Sequence, residues 1–257
     1  MQMDDKEIEC LRYDDRASNL LKKTSFSYPD FFLNTPKYLH TPYQAYYKCI
    51  QKYLAKDLNV LEIGSGIGIH SEILLSSGAK INLSDISLKS LDVVKKKYTN
   101  YSNYRTSIAD IENLPFESNA FDIVASAGTL SYGDNKLVLS EIYRVLKNDG
   151  KFICVDSLNH NAIYRLNRYL HYLNGKRTYS TLSRIPTFDL IDEYKKYFGT
   201  TETYLFGSIS WLMPILSKFI DEGLVKNISD WFDQKVAVQK SAFKFVLIAH
   251  KSNPCHE

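Results

Sequence analysis

An α/β fold built on a mostly parallel sheet, with helices on both faces, is predicted by three features of this chain of 257 residues. Between about residues 57 and 157, short apolar runs alternate with amphipathic stretches of helical length, the pattern of successive βαβ units. A glycine cluster, "VLEIGSGIG" (60–68), closes the first apolar run. Polar residues then recur at the ends of the runs: Asp85 after the second, Asp110 after the third, Ser126 after the fourth and Asp156 to His160 after the fifth. In open sheets of this kind ligands bind at the carboxyl ends of the strands.

The elements follow in order. "LNVLEI" (58–63) is the first strand, and "IHSEILLSSG" reads as a helix closed by Gly78. "AKINLS" is the second strand, ending at Asp85. "SLKSLDVVKKKY" is a helix with Ser87 as its N-cap and Leu88, Leu91 and Val94 at helical spacing. "YRTSIA" and "FDIVASA" (121–127) give strands three and four. "NKLVLSEIYRVLK" places Val138, Ile142, Val145 and Leu146 on one helical face, and "GKFICVDS" (150–157) is the fifth strand.

Past residue 157 the pattern loosens. "NAIYRLNRYLHYLNG" (161–175) predicts a helix ending at Gly175, which as a plain cap on the sheet would turn Ile163, Leu166, Leu170 and Leu173 inward. "FDLIDEYKKYF" is a further helix, "TETYLFGS" a strand, and "WLMPILSKFIDEGLVKNISDWF" a helical stretch restarted at Pro214. "AFKFVLIAH" (242–250) closes the sheet as a seventh, buried strand. The expected layout is an N-terminal helical segment or lid over residues 1–56 and a core over 57–257. Two helical insertions interrupt that core, at about 159–184 and 209–235.

Composition narrows the classes. With 32 Lys+Arg against 29 Asp+Glu the net charge is +3, so no global field points to nucleic acid. The local basic runs "VVKKKY" and "RLNRYLHYLNGKR" read as solvated helix faces. Cys10, Cys49, Cys154 and Cys255 form no C-x-x-C pair, which argues against a zinc site or a disulfide framework. "MQMDDKEIECLRYDDR" is too polar for a signal peptide, and no apolar stretch reaches the length of a membrane span. A cytoplasmic location is expected.

The glycines separate the remaining ligand classes. A dinucleotide loop needs its third glycine where Ile69 stands, and no Gly-Lys-Ser/Thr follows for a nucleotide P-loop. The loop instead reads Glu62-x-Gly64-x-Gly66-x-Gly68. Asp85, at the end of the next strand, can accept from both hydroxyls of a ribose. The alternatives are a tight strand-to-helix turn at the glycines, a cap at Glu62 and a turn residue at Asp110.

In that order "VLEIGSGIG", "LSDIS", "ADIENLPFESNAFDIV" and "EIYRVLKNDGKF" resemble the signatures of class I S-adenosylmethionine-dependent methyltransferases, over about residues 58–156. The resemblance implies a Rossmann-like, mostly parallel seven-stranded sheet whose last strand is antiparallel. It implies S-adenosyl-L-methionine at Gly64, Gly66 and Gly68, with Glu62 and Ser65 beside its methionine portion. Asp85 would hold the ribose, Ile86 would lie against the adenine, and Asp110 and Ile111 would meet the adenine edge. "SAGTLSY", from Ser126 to Tyr132, would line the methyl-donor side. "VLKNDG" departs from the family's commoner Pro-Gly-Gly at a turn remote from the chemistry.

The acceptor must be read from the additions. His160 in "VDSLNHN" is the candidate general base, with Asp156 to orient or replace it and Tyr132 as a further candidate. His40, Tyr38, Tyr43, Tyr46 and Tyr47 are lid or packing residues. Aromatic and basic residues interleave over 163–184, which suits a saccharide, with Arg165 and Arg168 as its contacts. The stretch 156–178 is similar to methyltransferases of bacterial surface-polysaccharide synthesis. The expectation is therefore O-methylation of a nucleotide sugar or a lipid-linked surface glycan. A lipid, quinone or other metabolite is the alternative, since "SWLMPILSKFI" (210–220) can border a greasy pocket or touch a membrane surface, although a mainly core role is the expectation for that stretch. A non-catalytic, cofactor-binding partner subunit is the third reading. RNA is disfavoured because "SAGT" replaces the Asn/Asp-Pro-Pro-aromatic tetrad after strand four.

Overall fold

The computed structural model describes residues 4–22, 28–175, 178–236 and 239–252. Lys176, Arg177 and Cys255 lie outside the described residues. Seven strands form one sheet in the order β3-β2-β1-β4-β5-β7-β6. They are β1 (Asn59–Ile63), β2 (Lys80–Asp85), β3 (Tyr104–Ile108), β4 (Phe121–Ala127), β5 (Leu146–Ser157), β6 (Gly199–Phe206) and β7 (Lys244–Lys251). β7 runs antiparallel to both β5 and β6, and the other pairs are parallel.

The strand sequences explain why both faces are covered. Leu61, Val124, Phe152, Cys154 and Leu247 point into one apolar cluster, while Val60, Ile123, Ile153, Val155 and Val246 point into the other. Near-continuous apolar runs are what a sheet buried on both sides requires. Around it lie α1 (Asp5–Leu21), α2 (Phe31–Asn34), α3 (His40–Tyr53), α4 (Glu72–Leu75), α5 (Leu88–Lys97) and α6 (Asn135–Val145). The later helices are α7 (Ala162–Leu173), α8 (Tyr179–Ser183), α9 (Phe188–Phe198), α10 (Met213–Leu216) and α11 (Glu222–Lys235). No helix among the described residues is long and apolar enough to cross a membrane.

Caps set several of these boundaries. Asp4 and Glu7 form a reciprocal capping box at α1, Ser87 caps α5 through Ser90 N, and Asp134 caps α6. The helix expected over 69–78 is a single turn, α4. Ser71 spends its hydroxyl on Glu62 at 2.5 Å instead of capping, and Ser76 and Ser77 bond back to the carbonyls of Ile73 and Leu74.

Two expectations about the insertions are overturned. In α7 the buried residues are Tyr164 and Arg168, while Leu166 and Leu173 are 61% and 60% exposed, with Ile163 and Leu170 exposed beside them. The cause is a pair of anchoring polar side chains. Tyr164 donates to Gly207 O at 2.9 Å, and Arg168 donates to Leu158 O and Asn159 Oδ1, both at 2.9 Å. Over 210–220 Met213 is fully buried, whereas Phe219 is 79% exposed and Trp211 and Ile215 also face outward, so a core role fails for most of this stretch.

Candidate functional site

A cavity of about 340 Å³ opens at the carboxyl ends of β1 to β4. β1 lies between β2 and β4, so the chain's crossovers leave in opposite directions there and a crevice remains. Its floor comes from Gly64–Ile67 and Ile69, Asp85–Ile86, Ala109–Ile111 and Ala127–Thr129, and its cover from α1 and α8.

The glycine loop is shaped for close approach. Gly64 has φ +63°, and a Cβ there would lie 2.2 Å from Thr129 Cγ2. Gly66, at φ +53°, would meet nothing within 4 Å, because its open side faces the cavity. Ser65 lines the cavity with a buried hydroxyl that has no hydrogen-bond partner among the described residues. Gly68 does not line it. Its carbonyl accepts from Tyr98 Oη at 2.6 Å and Lys97 Nζ at 2.9 Å, and a Cβ would sit 2.8 Å from the Tyr98 ring. The third glycine thus serves packing behind the loop.

Three of the cavity's carboxylates come from the strand ends and the loop after β3. Burial pushes Glu62 up to about 7, against the lowering effect of its Ser71 hydrogen bond. Asp85 accepts from Gly66 N at 2.8 Å and Ser87 N at 2.9 Å, which ties the glycine loop to the end of β2, and burial raises its pKa. Asp110 accepts from Glu112 N at 2.9 Å, while its Oδ2 is held by Lys6 of α1 at 2.6 Å. The carboxylate expected to face adenine is therefore shared with the covering helix.

An N-terminal lid was expected, but none of the residues by which this helix lines the cavity was singled out in the sequence. Lys6, Glu9, Tyr13, Arg16 and Leu20 recur at steps of three and four and all face the cavity. The spacing was available in the sequence, but polar residues fill the stripe, so it gave no core signal. α1 is fixed along its length. Ser180 N donates to Asp5, Thr178 and Thr181 hydroxyls to Glu9, and Ser87 Oγ to Asp14 at 2.5 Å. Tyr13 and Tyr132 meet hydroxyl to hydroxyl at 2.5 Å.

His70, two residues past the third glycine, was also missed. Its Nδ1 is 2.8 Å from Tyr47 Oη, and its ring stacks on Tyr43 with centroids 4.6 Å apart. Burial, with Lys244 and Lys97 nearby, lowers its pKa to about 3, so the imidazole is neutral at pH 7. Tyr43 and Tyr47 therefore build the wall behind His70, and His40 is a buried residue bonded to Thr35 O at 2.9 Å.

Of the other expected residues, Ile86, Ile111 and Tyr132 line the cavity. His160 does not. It is exposed and packs edge-on against Phe188, because Asn159 N bonds to Pro186 O and turns the loop outward. Asp156 is buried and does not line the cavity, its oxygens accepting from Leu130 N at 2.9 Å and Ser157 N at 2.6 Å, which braces the loop before Tyr132. Ser126 is fully buried in β4, one residue short of the cavity floor. Arg168 is committed to backbone and to Asn159, which removes it as an acceptor contact.

A family model described as a methyltransferase domain matches residues 61–154. The sterol 4-C-methyltransferase strm-1 of Caenorhabditis elegans is 29% identical over 143 residues, which are 51% of this chain and 43% of that protein. The ubiquinone/menaquinone biosynthesis C-methyltransferase UbiE of Rickettsia bellii is 37% identical over 109 residues, 38% of this chain and 44% of that protein. The match thus spans less than half the length of either relative. The crystal structure of a geranyl diphosphate C-methyltransferase from Streptomyces coelicolor superposes with a TM-score of 0.61 at 13% identity, covering 98% of this chain and 99% of that one.

Proposed function

We propose that this chain, whose residues 61–154 are a methyltransferase domain on a class I sheet, moves a methyl group from S-adenosylmethionine to a small acceptor with an apolar body. The observation that carries the reading is the meeting of Glu62, the Gly64–Gly66 backbone and Asp85 on one cavity at the sheet's switch point.

The residues present fit that cofactor. Buried Glu62, with its pKa at about 7, suits a group that regains its charge when a cationic amino group arrives. The orphaned Ser65 hydroxyl and the open side of Gly66 offer a donor and an approach for the methionine portion. Asp85 is held by two backbone N–H groups and faces the cavity where ribose hydroxyls would donate to it. Ile86 and Ile111 give apolar walls for the adenine, and Asp110 its polar edge.

When bound, the cofactor supplies a methyl group on a sulfonium, open to in-line displacement. The chain's contribution is orientation, an effect worth about 7–11 kcal/mol in intramolecular analogues. Tyr13, Tyr132 and neutral His70 can hydrogen-bond the acceptor beside the methyl group, and α1 with α8 covers the cavity. Burial keeps Tyr13 a phenol and His70 a weak base, which favours an acceptor atom that needs no strong base.

An apolar acceptor is favoured over a saccharide by Arg168, which is spent inside the fold, and by the leucines that α7 turns outward. The names of the sterol and quinone methyltransferase relatives point the same way. The test is methyl transfer from labelled S-adenosylmethionine into a host extract separated into lipid, saccharide, RNA, protein and small-molecule fractions. Label in the organic-extractable fraction is expected. Label in nucleotide sugar or glycan would overturn the acceptor class, and a folded, cofactor-binding protein that labels nothing would leave a binding-only subunit.

A further inference from the structure

α7 is amphipathic in the reverse of the core sense. Its polar anchors Tyr164 and Arg168 are buried, while Ile163, Leu166, Tyr169, Leu170 and Leu173 form an exposed stripe. Tyr164, on the buried side of α7, ties the helix to the 207–211 turn, its Oη accepting from Trp211 N at 2.9 Å and donating to Gly207 O. Beyond that link Trp211, Ile215 and Phe219 are exposed as well. Single exposed apolar residues need no explanation, but this many drawn from two tethered segments do.

Charge says what covers it. Between Asp156 and Asp189 the sequence has no acidic residue, and none occurs between Glu202 and Asp221. Cations do occur in both segments, and Arg165 on α7 is exposed at the edge of the stripe. Tyr169, Tyr179 and Trp211 add aromatic rings with a polar end, the side chains that settle at the level of lipid headgroups. Within residues 157–188 and 203–220 the exposed apolar residues have cations and aromatics beside them and no carboxylate, Asp221 and Glu222 lying just past the second segment, and that pattern complements an anionic lipid surface. A saccharide or nucleic acid would leave the leucines unburied.

We propose that α7 and residues 211–219 dock this chain onto an anionic bilayer. The helix that follows α7 carries the consequence, since α8 presents exposed Tyr179 on one side and Thr181 to the cavity on the other. Docking therefore sets the wall of the cavity against the headgroups, where an acceptor with an apolar body is dissolved. This last step rests on the methyltransferase reading above; the docking itself does not.

The experiment is co-sedimentation of the full chain with mixed phosphatidylcholine/phosphatidylglycerol vesicles, with phosphatidylcholine vesicles as comparison. The expected result is binding to the mixed vesicles that weakens with salt. Leu166→Glu and Leu170→Glu together, and separately Phe219→Glu, should each lower the partition coefficient about tenfold or more. Ile108→Glu, at an exposed position on β3, should leave it unchanged. S-adenosylhomocysteine binding, measured on every variant, reports that the fold is intact and tests the methyltransferase reading separately. Normal cofactor binding without vesicle binding overturns the docking alone. Equal vesicle binding by wild type and the α7 variant also overturns it, as does a dimer in solution that Leu166→Glu dissociates while vesicles bind nothing.

Discussion

The Lys6 ammonium closes on two carboxylates at once, 2.6 Å from Asp110 Oδ2 and 2.5 Å from Glu112 Oε2. It joins the start of α1 to the loop after β3, so the helix that covers the cavity is pinned at the end proposed for adenine. All three side chains remain partly exposed, and each such pair contributes at most about 1 kcal/mol.

Lys6→Met should therefore leave the fold intact and loosen the cover. S-adenosylhomocysteine should dissociate a few-fold faster, about 2–5 times on that energy scale, and the difference should shrink in high salt. Stopped-flow displacement measures this directly.

Arg168→Met should act on stability and not on acceptor affinity. It deletes donors to Leu158 O and Asn159 Oδ1 in a buried setting, a loss of about 1.5–3 kcal/mol for hydrogen bonds from a charged group. Arg165→Ala, at an exposed position, should leave the melting temperature nearly unchanged. Thermal melts of the two variants beside acceptor Michaelis constants separate a structural arginine from a substrate-reading one.

Glu62 makes the free protein sensitive to pH. Its folded pKa of about 7 stands above the ordinary 4.5, so the folded state holds a proton that the unfolded chain has released. The contribution is fully present below about 4.5 and is lost as pH rises through 7. The full effect is of order 3 kcal/mol. His70 acts in the opposite sense, since its depressed pKa removes stability as pH falls from 6.5 toward 3. Glu62→Gln should abolish the decline between pH 5 and 8 seen in denaturant melts of wild type. Saturating cofactor should flatten the wild-type curve as well, because a bound amino cation favours the charged carboxylate.

Much of the sheet was legible because buried strands and glycine turns leave local marks. "FDIVASA" is β4 residue for residue, and Ser87 caps the helix that its spacing predicts. The cavity floor was legible for the same reason, since Gly64, Asp85 and Ile111 lie at or just past strand ends. The cover was not. Lys6, Tyr13 and Arg184 come from distant parts of the chain and are gathered by tertiary contacts such as Thr178 to Glu9. α7 misled because periodicity identifies an apolar face without saying whether protein covers it, and the deciding groups were the polar ones opposite, Tyr164 and Arg168. His160 misled because nearness to a strand end does not fix the direction in which a loop turns.

The most direct test of the cofactor site is calorimetric titration of S-adenosylhomocysteine into wild type, Asp85→Ala and Ser126→Ala. Wild type should bind at a single site. Asp85→Ala should lose about a hundredfold or more in affinity, since it removes a charged acceptor of ribose hydroxyls and frees Gly66 N, while still melting cooperatively. Ser126→Ala should bind as wild type does, its hydroxyl being buried beneath the floor with no hydrogen-bond partner among the described residues. No heat with wild type, or equal affinity for wild type and Asp85→Ala, would contradict the assignment of this cavity.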